Sequence, residues 1–412
     1  MRAIVAMLAC VGCGFHLELG AASGDDVRDD AAPGDGSDDA MPDAPGTVAR
    51  NCTLALGSDH TCVLRADGTV WCWGQNGFGE LGQGMVSSYS VTALQVQLGA
   101  AATSFASKSY HACAGLSNGT VKCWGINDAN QIGDGLAGNR SSPATVVGLT
   151  DVAQVAVGRS HSCARKTNGA VTCWGSNTSG QLGDGTFVFK TTPTTTVMGL
   201  TASPVTLALA SSHGCALLPG GVGQCWGANS FRQLGDGTTT DRSTATTMPV
   251  SDIAQIAPSG YSVPPYTGGS TCVLTTADTV SCWGSNDFGQ LGNGNTSTTT
   301  TSTPVLVANL TNAAEIVSGR YHVCVRERTG TVACWGRNEY GQIGDGTNNT
   351  RTSPFTVPLP RPAVHIGAGG YHTCALLDDD SLYCWGANGA GQLGDGSTTS
   401  RTAPVASQSV CQ

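Results

Sequence analysis

Cysteine and histidine recur at fixed spacings through this 412-residue chain, and both residue types can bind metals or take part in catalysis, while cysteine also forms disulfides. Seven segments contain two cysteines ten residues apart, and the second cysteine is always followed by Trp-Gly. A histidine stands two residues before the first cysteine in six segments, and Ser270 takes its place in the fifth. The cysteine pairs are Cys62 and Cys72, Cys113 and Cys123, Cys163 and Cys173, Cys215 and Cys225, Cys272 and Cys282, Cys324 and Cys334, and Cys374 and Cys384; the histidines are His60, His111, His161, His213, His322 and His372.

The spacing of each pair predicts a disulfide across a β-hairpin. Cys62 and Cys72 flank a three-residue loop, and Gly68 in the left-handed conformation would place them opposite each other. Opposed residues on antiparallel strands have Cα atoms about 4.5–5.5 Å apart, which a disulfide accepts. Zinc sites and reduced, buried thiols are the alternatives, but no segment offers a CxxC pair or a fourth ligand. So many paired cysteines favour an oxidising compartment.

The cysteine pairs belong to a repeat of 50 to 57 residues. After Trp-Gly the copies continue with stretches such as "QNGFGELGQG" and "SNTSGQLGDG". This pattern resembles the regulator-of-chromosome-condensation repeat family, whose unit contains a His, a "G-x-V" hairpin, "WG-x-N-x-x-GQLG-x-G" and a polar loop. The resemblance covers about residues 48–412. The residues alone also favour stacked β units, because each copy contains short strand-like runs and glycine turns and only 12% of the chain is charged.

The ends of the repeat region predict how the structure closes. Residues 48–57 supply a strand of the "VAQVAVG" type, and the last copy stops just before such a strand. We therefore predict an all-β, seven-bladed β-propeller in which the N-terminal strand closes the last blade. Closure would bring Cys52 close to Cys411, and we predict that a disulfide between them staples the ring. We expect a monomer, because a closed ring offers no free sheet edge.

Other residues recur at equivalent positions of the repeats, and this recurrence indicates that their role is structural. We expect the Trp of each Cys-Trp-Gly to pack between blades, the histidines to form hydrogen bonds within each blade, and the aspartates of the "GDG" turns to bond to the backbone. The alternatives are a stacking surface for the tryptophans, a ring of ligands or bases for the histidines, and calcium binding for the aspartates. No phosphate loop or nucleophile elbow occurs, so we expect no cofactor, no metal and no catalytic residue. The aspartates are Asp134, Asp184, Asp236, Asp345 and Asp395, with Gln83 and Asn293 in the other two repeats.

The first residues, "MRAIVAMLACVGCG", resemble a bacterial lipoprotein signal. Residues 1–13 would form the signal peptide, with Cys13 as the lipid attachment site and Cys10 as the second choice. An ordinary cleaved signal or a misassigned start are the alternatives. Residues 14–47 carry nine acids and one arginine and have no apolar periodicity, so we expect a disordered acidic tether. Residues 14–47 therefore carry a net charge of −8 and Arg2 carries +1, so the total of −9 leaves −2 for the propeller, residues 48–412.

The fifth repeat departs most from the pattern. It contains "APSGYSVPPYTGGSTC", and the inserted Tyr261, Pro264, Pro265 and Tyr266 form a candidate partner-contact loop. A neutral insertion is the alternative. A smaller irregularity, "GTFVFKTTP", places Phe187 and Phe189 in another loop between strands.

These observations favour a non-catalytic binding or scaffold propeller of the cell envelope. It would be held at the outer membrane by its lipid anchor, or lie in the periplasm or on the cell surface, and present one face to a protein or glycan partner. An extracellular enzyme inhibitor is one alternative and would show a rim of exposed Trp and Tyr. The resemblance also implies a guanine nucleotide exchange factor that docks on chromatin, but an exported, disulfide-rich chain would not meet a nuclear GTPase. Nucleic-acid binding would need a basic patch, and the propeller is nearly neutral.

Overall fold

The computed structural model describes residues 52–263, 266–310 and 312–411, and these residues form an all-β structure. Its strands assemble into seven antiparallel sheets of four strands each, and every sheet consists of four strands that are consecutive in sequence. The seven sheets are the blades of a β-propeller. This part of the chain contains no helix with the length and apolar character that crossing a membrane requires.

Each blade begins with its innermost strand and ends with its outermost one. The strands are, for blade 1, β1 (Cys52–Leu56), β2 (His60–Arg65), β3 (Val70–Gln75) and β4 (Tyr89–Gln95); for blade 2, β5 (Ala102–Lys108), β6 (His111–Leu116), β7 (Val121–Gly125) and β8 (Arg140–Thr145); for blade 3, β9 (Val152–Val157), β10 (His161–Lys166), β11 (Val171–Gly175) and β12 (Lys190–Thr196); for blade 4, β13 (Thr206–Leu209), β14 (His213–Leu218), β15 (Val222–Gly227) and β16 (Arg242–Thr247); for blade 5, β17 (Ile253–Val263), β18 (Tyr266–Thr275), β19 (Val280–Asn286) and β20 (Ser297–Leu306); for blade 6, β21 (Ala313–Ser318), β22 (His322–Glu327), β23 (Val332–Gly336) and β24 (Arg351–Thr356); and for blade 7, β25 (Ala363–Ala368), β26 (His372–Leu377), β27 (Leu382–Gly386) and β28 (Arg401–Ala406).

The hydrophobic core lies between the blades. Val155 and Val157 of β9, for example, are buried in one cluster with Val121 and Ile132 of the preceding blade and with Trp174 of their own. The other clusters likewise join residues of two adjacent blades. A blade on its own would leave these side chains in water, so it is stable only when it is stacked against its neighbours.

The seven-bladed ring is confirmed, but the predicted closing strand is wrong. β1 pairs with β2, with Leu56 opposite Thr61, and so belongs to the first blade. The seventh blade is complete with β25 to β28. The reason is local: β1 and β2 are separated only by residues 57–59, and closing so short a loop costs little chain entropy. Within the described residues, first and last blades therefore meet through contacts between complete sheets and through one disulfide.

The strand directions give the ring two different faces. The loop face contains the turns equivalent to residues 57–59 and the long loops equivalent to residues 76–88. The turn face contains the tight turns equivalent to residues 66–69 and the links equivalent to residues 96–101. Gly68 at φ 77°, and Asp278 and Asp380 at φ 61° and 63°, take the left-handed conformation that the tight turns require.

A buried asparagine organises each loop of the loop face. In blade 4, Asn229 Nδ2 donates to Asp236 Oδ1 at 2.9 Å and to the carbonyls of Thr238 and Thr240, each at 3.2 Å. Its Oδ1 accepts from the backbone N–H of Leu234 at 3.1 Å. One side chain thus holds together residues up to 11 positions away. The equivalent residues are Asn76, Asn127, Asn177, Asn286, Asn338 and Asn388.

We expect Asn229→Ala to lower the free energy of unfolding by about 3 kcal/mol, because it leaves buried backbone groups without hydrogen-bond partners. Urea denaturation followed by tryptophan fluorescence measures the loss. Asn348→Ala is the matched control, because Asn348 is exposed and donates to the carbonyl of Glu339 at 2.7 Å. Equal effects of the two substitutions would contradict the assigned role.

Candidate functional site

The structure joins every predicted cysteine pair by a disulfide. In the seven hairpins the cysteines are directly opposed, and their Cα atoms are 4.0–4.1 Å apart, somewhat closer than the sequence predicted. Cys52 and Cys411 are also joined, with Cα atoms 5.4 Å apart. All sixteen side chains are buried, so they serve structure and not surface chemistry. Cys10 and Cys13 lie outside the described residues.

The repeated tryptophans bind neighbouring blades together, as predicted. Each indole is fully buried, and its Nε1 donates to the backbone carbonyl of the Gln or Glu in the "GQLG" motif of the preceding blade at 2.9–3.0 Å. Trp73 makes this bond to Gln392 and so continues the series across the closure of the ring. The seven are Trp73, Trp124, Trp174, Trp226, Trp283, Trp335 and Trp385.

The histidines also act between blades, which corrects the prediction of bonds within each blade. His111 Nε2 lies 2.9 Å from Ser162 Oγ of the next blade, and that hydroxyl donates to the carbonyl of Gln131 at 2.8 Å. Because the hydroxyl proton is already donated, the imidazole must donate from Nε2. Burial lowers the pKa of His111 to about 3, so the ring is neutral at neutral pH. His213, His322 and His372 make the same kind of contact with Thr271, Thr373 and Thr61.

His161 is the exception among these histidines. The next blade carries Gly214 at the position where Ser162 and its equivalents offer a hydroxyl, and no polar group of the described residues lies within hydrogen-bonding distance of the His161 imidazole. His60, which faces Ala112 of the next blade at this position, contacts Ser107 Oγ of that blade instead, at 2.7 Å. Burial, and secondarily the Lys108 ammonium, lower the pKa of His161 to about 3. A neutral, enclosed ring without a partner is unsuited to acid–base catalysis at neutral pH.

The "GDG" aspartates hold their turns, as predicted, and each one also pairs with a cation that the sequence analysis missed. Asp236 Oδ1 accepts from the backbone N–H of Thr238 at 2.9 Å, and Oδ2 lies 2.6 Å from Arg242 Nη2. The cation always stands six residues after the aspartate, and the repeats with Gln83 and Asn293 lack it. This covariation within the sequence is the signal that could have revealed the pairs. The cations are Arg140, Lys190, Arg242, Arg351 and Arg401.

The described residues contain no group of three or more His, Cys, Asp or Glu side chains placed to hold a metal ion. The repeated histidines and cysteines therefore form a structural network in the ring, in which each of these cysteines is bound to another cysteine. Two features fall outside this network: the central cavity, and the outer loops of the loop face.

The seven innermost strands enclose a central cavity of about 420 Å³. Its wall is mainly aliphatic, and polar side chains at one level link adjacent strands. Gln154 Oε1 accepts from the backbone N–H of Leu207, and Gln255 Oε1 from that of Ile316, both at 2.9 Å. At the same level in blades 6 and 7, Glu315 pairs with His365 and lies 2.9 Å from Arg326 Nε.

A lysine lies at the loop-face end of this cavity. Lys108 Nζ donates to the carbonyl of Leu209 at 2.8 Å and to that of Pro258 at 3.3 Å, on two strands of the far wall. Lys108 also lines a small second cavity beyond it, together with Ser58 and Arg320. Burial lowers the pKa of Lys108 to about 8. Lys108 is not among the residues predicted from the sequence.

The outer loops of the loop face differ sharply between blades. Between the "GDG" turn and the last strand, blades 4 to 7 carry only Thr, Ser, Asn and Asp. Blades 1 to 3 expose apolar side chains there, with exposed fractions of 66% for Met85, 62% for Leu136 and 58% for Phe189. We call these side chains the apolar rim; its residues are Met85, Val86, Leu136, Phe187, Val188 and Phe189.

The candidate partner-contact loop of blade 5 is an extension of two strands. β17 and β18 remain paired beyond the level at which the other blades turn, through Tyr261 opposite Gly268 to Val263 opposite Tyr266. The extension projects from the loop face, on the same side as the apolar rim. Pro264 and Pro265 lie outside the described residues.

Comparisons with known proteins agree with this architecture. The sequence profile of the regulator of chromosome condensation (RCC1) repeat matches residues 118–165, 168–218, 278–326, 329–376 and 379–410, and a second profile of the same repeat also matches residues 52–80 and 102–131. The ultraviolet-B receptor UVR8 of Arabidopsis thaliana is 31% identical over 153 residues, which are 36% of this chain and 33% of that receptor. The chain thus spans about a third of the length of the curated relatives that it matches.

Two solved structures share the fold over most of their length. Human WBSCR16 has a TM-score of 0.72 at 21% identity, covering 84% of this chain and 94% of that one. Prp20p of Saccharomyces cerevisiae, described together with its binding to Gsp1p and histones, has a TM-score of 0.72 at 21% identity and 88% coverage of both chains. Together with the repeat matches along most of the ring, these findings show that the chain belongs to the regulator of chromosome condensation (RCC1) repeat family.

Proposed function

We propose that this chain is a non-catalytic binding propeller of the cell envelope that presents its loop face to a protein partner. The apolar rim carries this proposal. Groups of exposed apolar side chains on a protein surface mark interaction sites, whereas single exposed apolar residues are ordinary. Here the seven repeats provide the comparison, because four blades keep the same loop polar and three consecutive blades do not.

The loops that carry the apolar rim lie against the next blade. The backbone N–H of Gly84 donates to the carbonyl of Ser141 in the next blade at 2.7 Å, and that of Gly185 does the same to Ser243. The loops of blades 1 and 3 therefore rest on the outer strands of the next blades. Gly135 in the loop of blade 2 lies next to Thr192 of blade 3, since a Cβ atom added to Gly135 would be 3.4 Å from the Thr192 side chain. Phenylalanine and methionine side chains suit a protein surface better than a glycan, which presents mainly hydroxyls.

The disulfides support the proposed compartment. Eight disulfides persist in oxidising surroundings such as the bacterial envelope and are reduced in the cytosol. The lipoprotein-like first residues agree with export. Nucleotide exchange on a cytosolic or nuclear GTPase fits this chemistry poorly. The inhibitor alternative needs a rim of exposed Trp and Tyr. The seven repeated indoles are buried, and the exposed Tyr89 and Tyr340 lie on separate blades, 1 and 6.

A photo-crosslinking residue at position 187 tests the proposal. We expect p-benzoylphenylalanine in place of Phe187 to give one discrete protein adduct in the native host's envelope fraction. The matched control places the same residue at Thr239, which occupies the equivalent position in the polar loop of blade 4. Adducts of equal yield from both positions, or none from either, would contradict the assigned surface.

Alkylation of the cysteines tests the proposed compartment. Mass spectrometry of protein from the native host, alkylated before reduction, should find the sixteen propeller cysteines protected from alkylation. Free thiols in these peptides would show that the protein resides in a reducing compartment, and the envelope proposal would then fail.

A further inference from the structure

Lys108 occupies a position that the other blades reserve for small residues. Three residues before the histidine, five blades carry Gly57, Gly158, Ala210, Gly319 and Gly369. A Cβ atom on Gly158 would lie 2.3 Å from the Cε1 of His161, so the ordinary turn leaves little room at this position, and the largest of these five residues is alanine. In blade 2 the ladder continues by one more pair, with Lys108 opposite His111, and this different turn accommodates the lysine.

The altered turn directs the amine across the end of the central cavity. Lys108 belongs to blade 2, whereas its acceptors, the carbonyls of Leu209 and Pro258, belong to blades 4 and 5. Lys108 lines both the central cavity and the small cavity next to the loop face, so it lies between the two. An ammonium group has three hydrogens, and these two carbonyls use two of them.

The ammonium has no carboxylate facing it. None of the described residues that line either cavity is an Asp or Glu. The titratable groups near it are His161 and His213, which burial keeps neutral, and Arg320, which interacts with Asp59 outside the cavity. A buried cation without a counter-charge is unfavourable. The lowered pKa of Lys108 agrees with this environment.

We propose that the central cavity binds a small organic carboxylate with an aliphatic body, whose carboxylate pairs with Lys108. The charge of a monoanion matches the single cation, and one N–H of the ammonium remains for it. The partly exposed apolar residues of the wall, such as Ala55, Ala106, Ala208 and Val317, suit an aliphatic chain. A volume of about 420 Å³ accommodates a chain of several carbons. This site is separate from the apolar rim and does not depend on the proposed partner.

Calorimetry with octanoate, octanol and octylammonium tests the site on the full chain. We expect octanoate to bind at least tenfold more tightly than octanol, and octylammonium to bind more weakly than both. Lys108→Met should reduce octanoate binding to the level of octanol, and Lys122→Met, the same substitution on β7 outside the cavity, should leave it unchanged. Equal affinity for octanoate and octanol, or unchanged binding in Lys108→Met, would overturn the proposal.

A second measurement needs no variant and so holds even if Lys108→Met fails to fold. Octanoate should protect Lys108 of the wild-type protein from reductive methylation by at least fivefold, while the rate at Lys166 stays constant. Peptide mass spectrometry reports both sites in one sample. No protection of Lys108 at millimolar octanoate would show that the carboxylate does not reach the amine, and would overturn the proposal.

Discussion

Replacing both Cys52 and Cys411 with serine will lower the free energy of unfolding by about 6 kcal/mol, roughly twice the loss from removing one hairpin disulfide. The difference follows from the chain that each bond closes. Cys52 and Cys411 are separated by 359 residues, whereas the hairpin pairs are separated by 10. In the chain-entropy account the benefit grows with the logarithm of loop length, and a hairpin also forms partly without its disulfide.

The interface between blades 7 and 1 explains why this bond is needed. It has the same indole and hydroxyl contacts as the other interfaces, from Trp73 and Thr61 to the carbonyl of Gln392. It adds one bond of its own, from the backbone N–H of Ala93 to Gln408 Oε1 at 2.7 Å. No strand of one blade is exchanged into the other. The disulfide is therefore the covalent link at the one interface that the chain itself does not connect.

Urea denaturation of the double variant measures the loss, with Cys163→Ser/Cys173→Ser as the matched control in the middle of the chain. Proteolysis gives a second readout, because an opened ring should be cleaved first between residues 52 and 60 and after residue 401, in its two terminal blades. If both double variants lose the same stability, closure does not depend on the long disulfide.

The features that the sequence predicted correctly are the ones that depend on local geometry. Ten-residue spacing about a glycine turn determines which cysteines are opposed, and no other part of the fold can change that. Burial of the tryptophans was predictable for a related reason. A residue that recurs in every blade experiences the same contacts in every blade, so its role must be structural.

The features that the sequence did not predict arise between repeats. The histidine bonds cross to the next blade, because each hydroxyl that they need, such as Ser162, lies on the neighbouring sheet. The closing strand was misplaced because repeat counting does not show where a blade begins. Lys108 looked like an ordinary polar residue, since only the assembled ring brings the carbonyls of Leu209 and Pro258 within its reach.

Acidification will destabilise the propeller well above the pH at which carboxylates titrate. Burial lowers the pKa of His60 and His322 to about 4 and that of His111 to about 3, and His161, His213 and His372 have equally low values of about 3. Unfolded histidines have a pKa of about 6.5. Between these values the unfolded chain binds protons that the folded chain excludes, so stability falls as the pH is lowered.

Three carboxyl groups oppose this loss of stability in part. Burial raises the pKa of Asp59, Glu80 and Asp287, so these groups take up protons in the folded state and offset some of the loss. The aspartates of the "GDG" turns act in the same direction as the histidines but only at lower pH, because Asp184, Asp236, Asp345 and Asp395 have pKa values lowered mainly by hydrogen bonds that outweigh desolvation. The window from pH 6.5 to about 4.5 therefore reports chiefly on the histidines.

Each excluded proton contributes about 1.4 kcal/mol per pH unit, so six histidines give a slope approaching 8 kcal/mol per pH unit near pH 5. Urea denaturation at half-unit steps from pH 7.5 to 4.5, with the disulfides intact, measures this slope. His322→Ser introduces the residue that blade 5 carries naturally as Ser270, and it should reduce the slope by about one sixth, whatever it does to stability at pH 7.5. A free energy of unfolding that stays constant between pH 6.5 and 5 would show that the histidines are protonated in the folded ring, and the network of neutral imidazoles between blades would then be wrong.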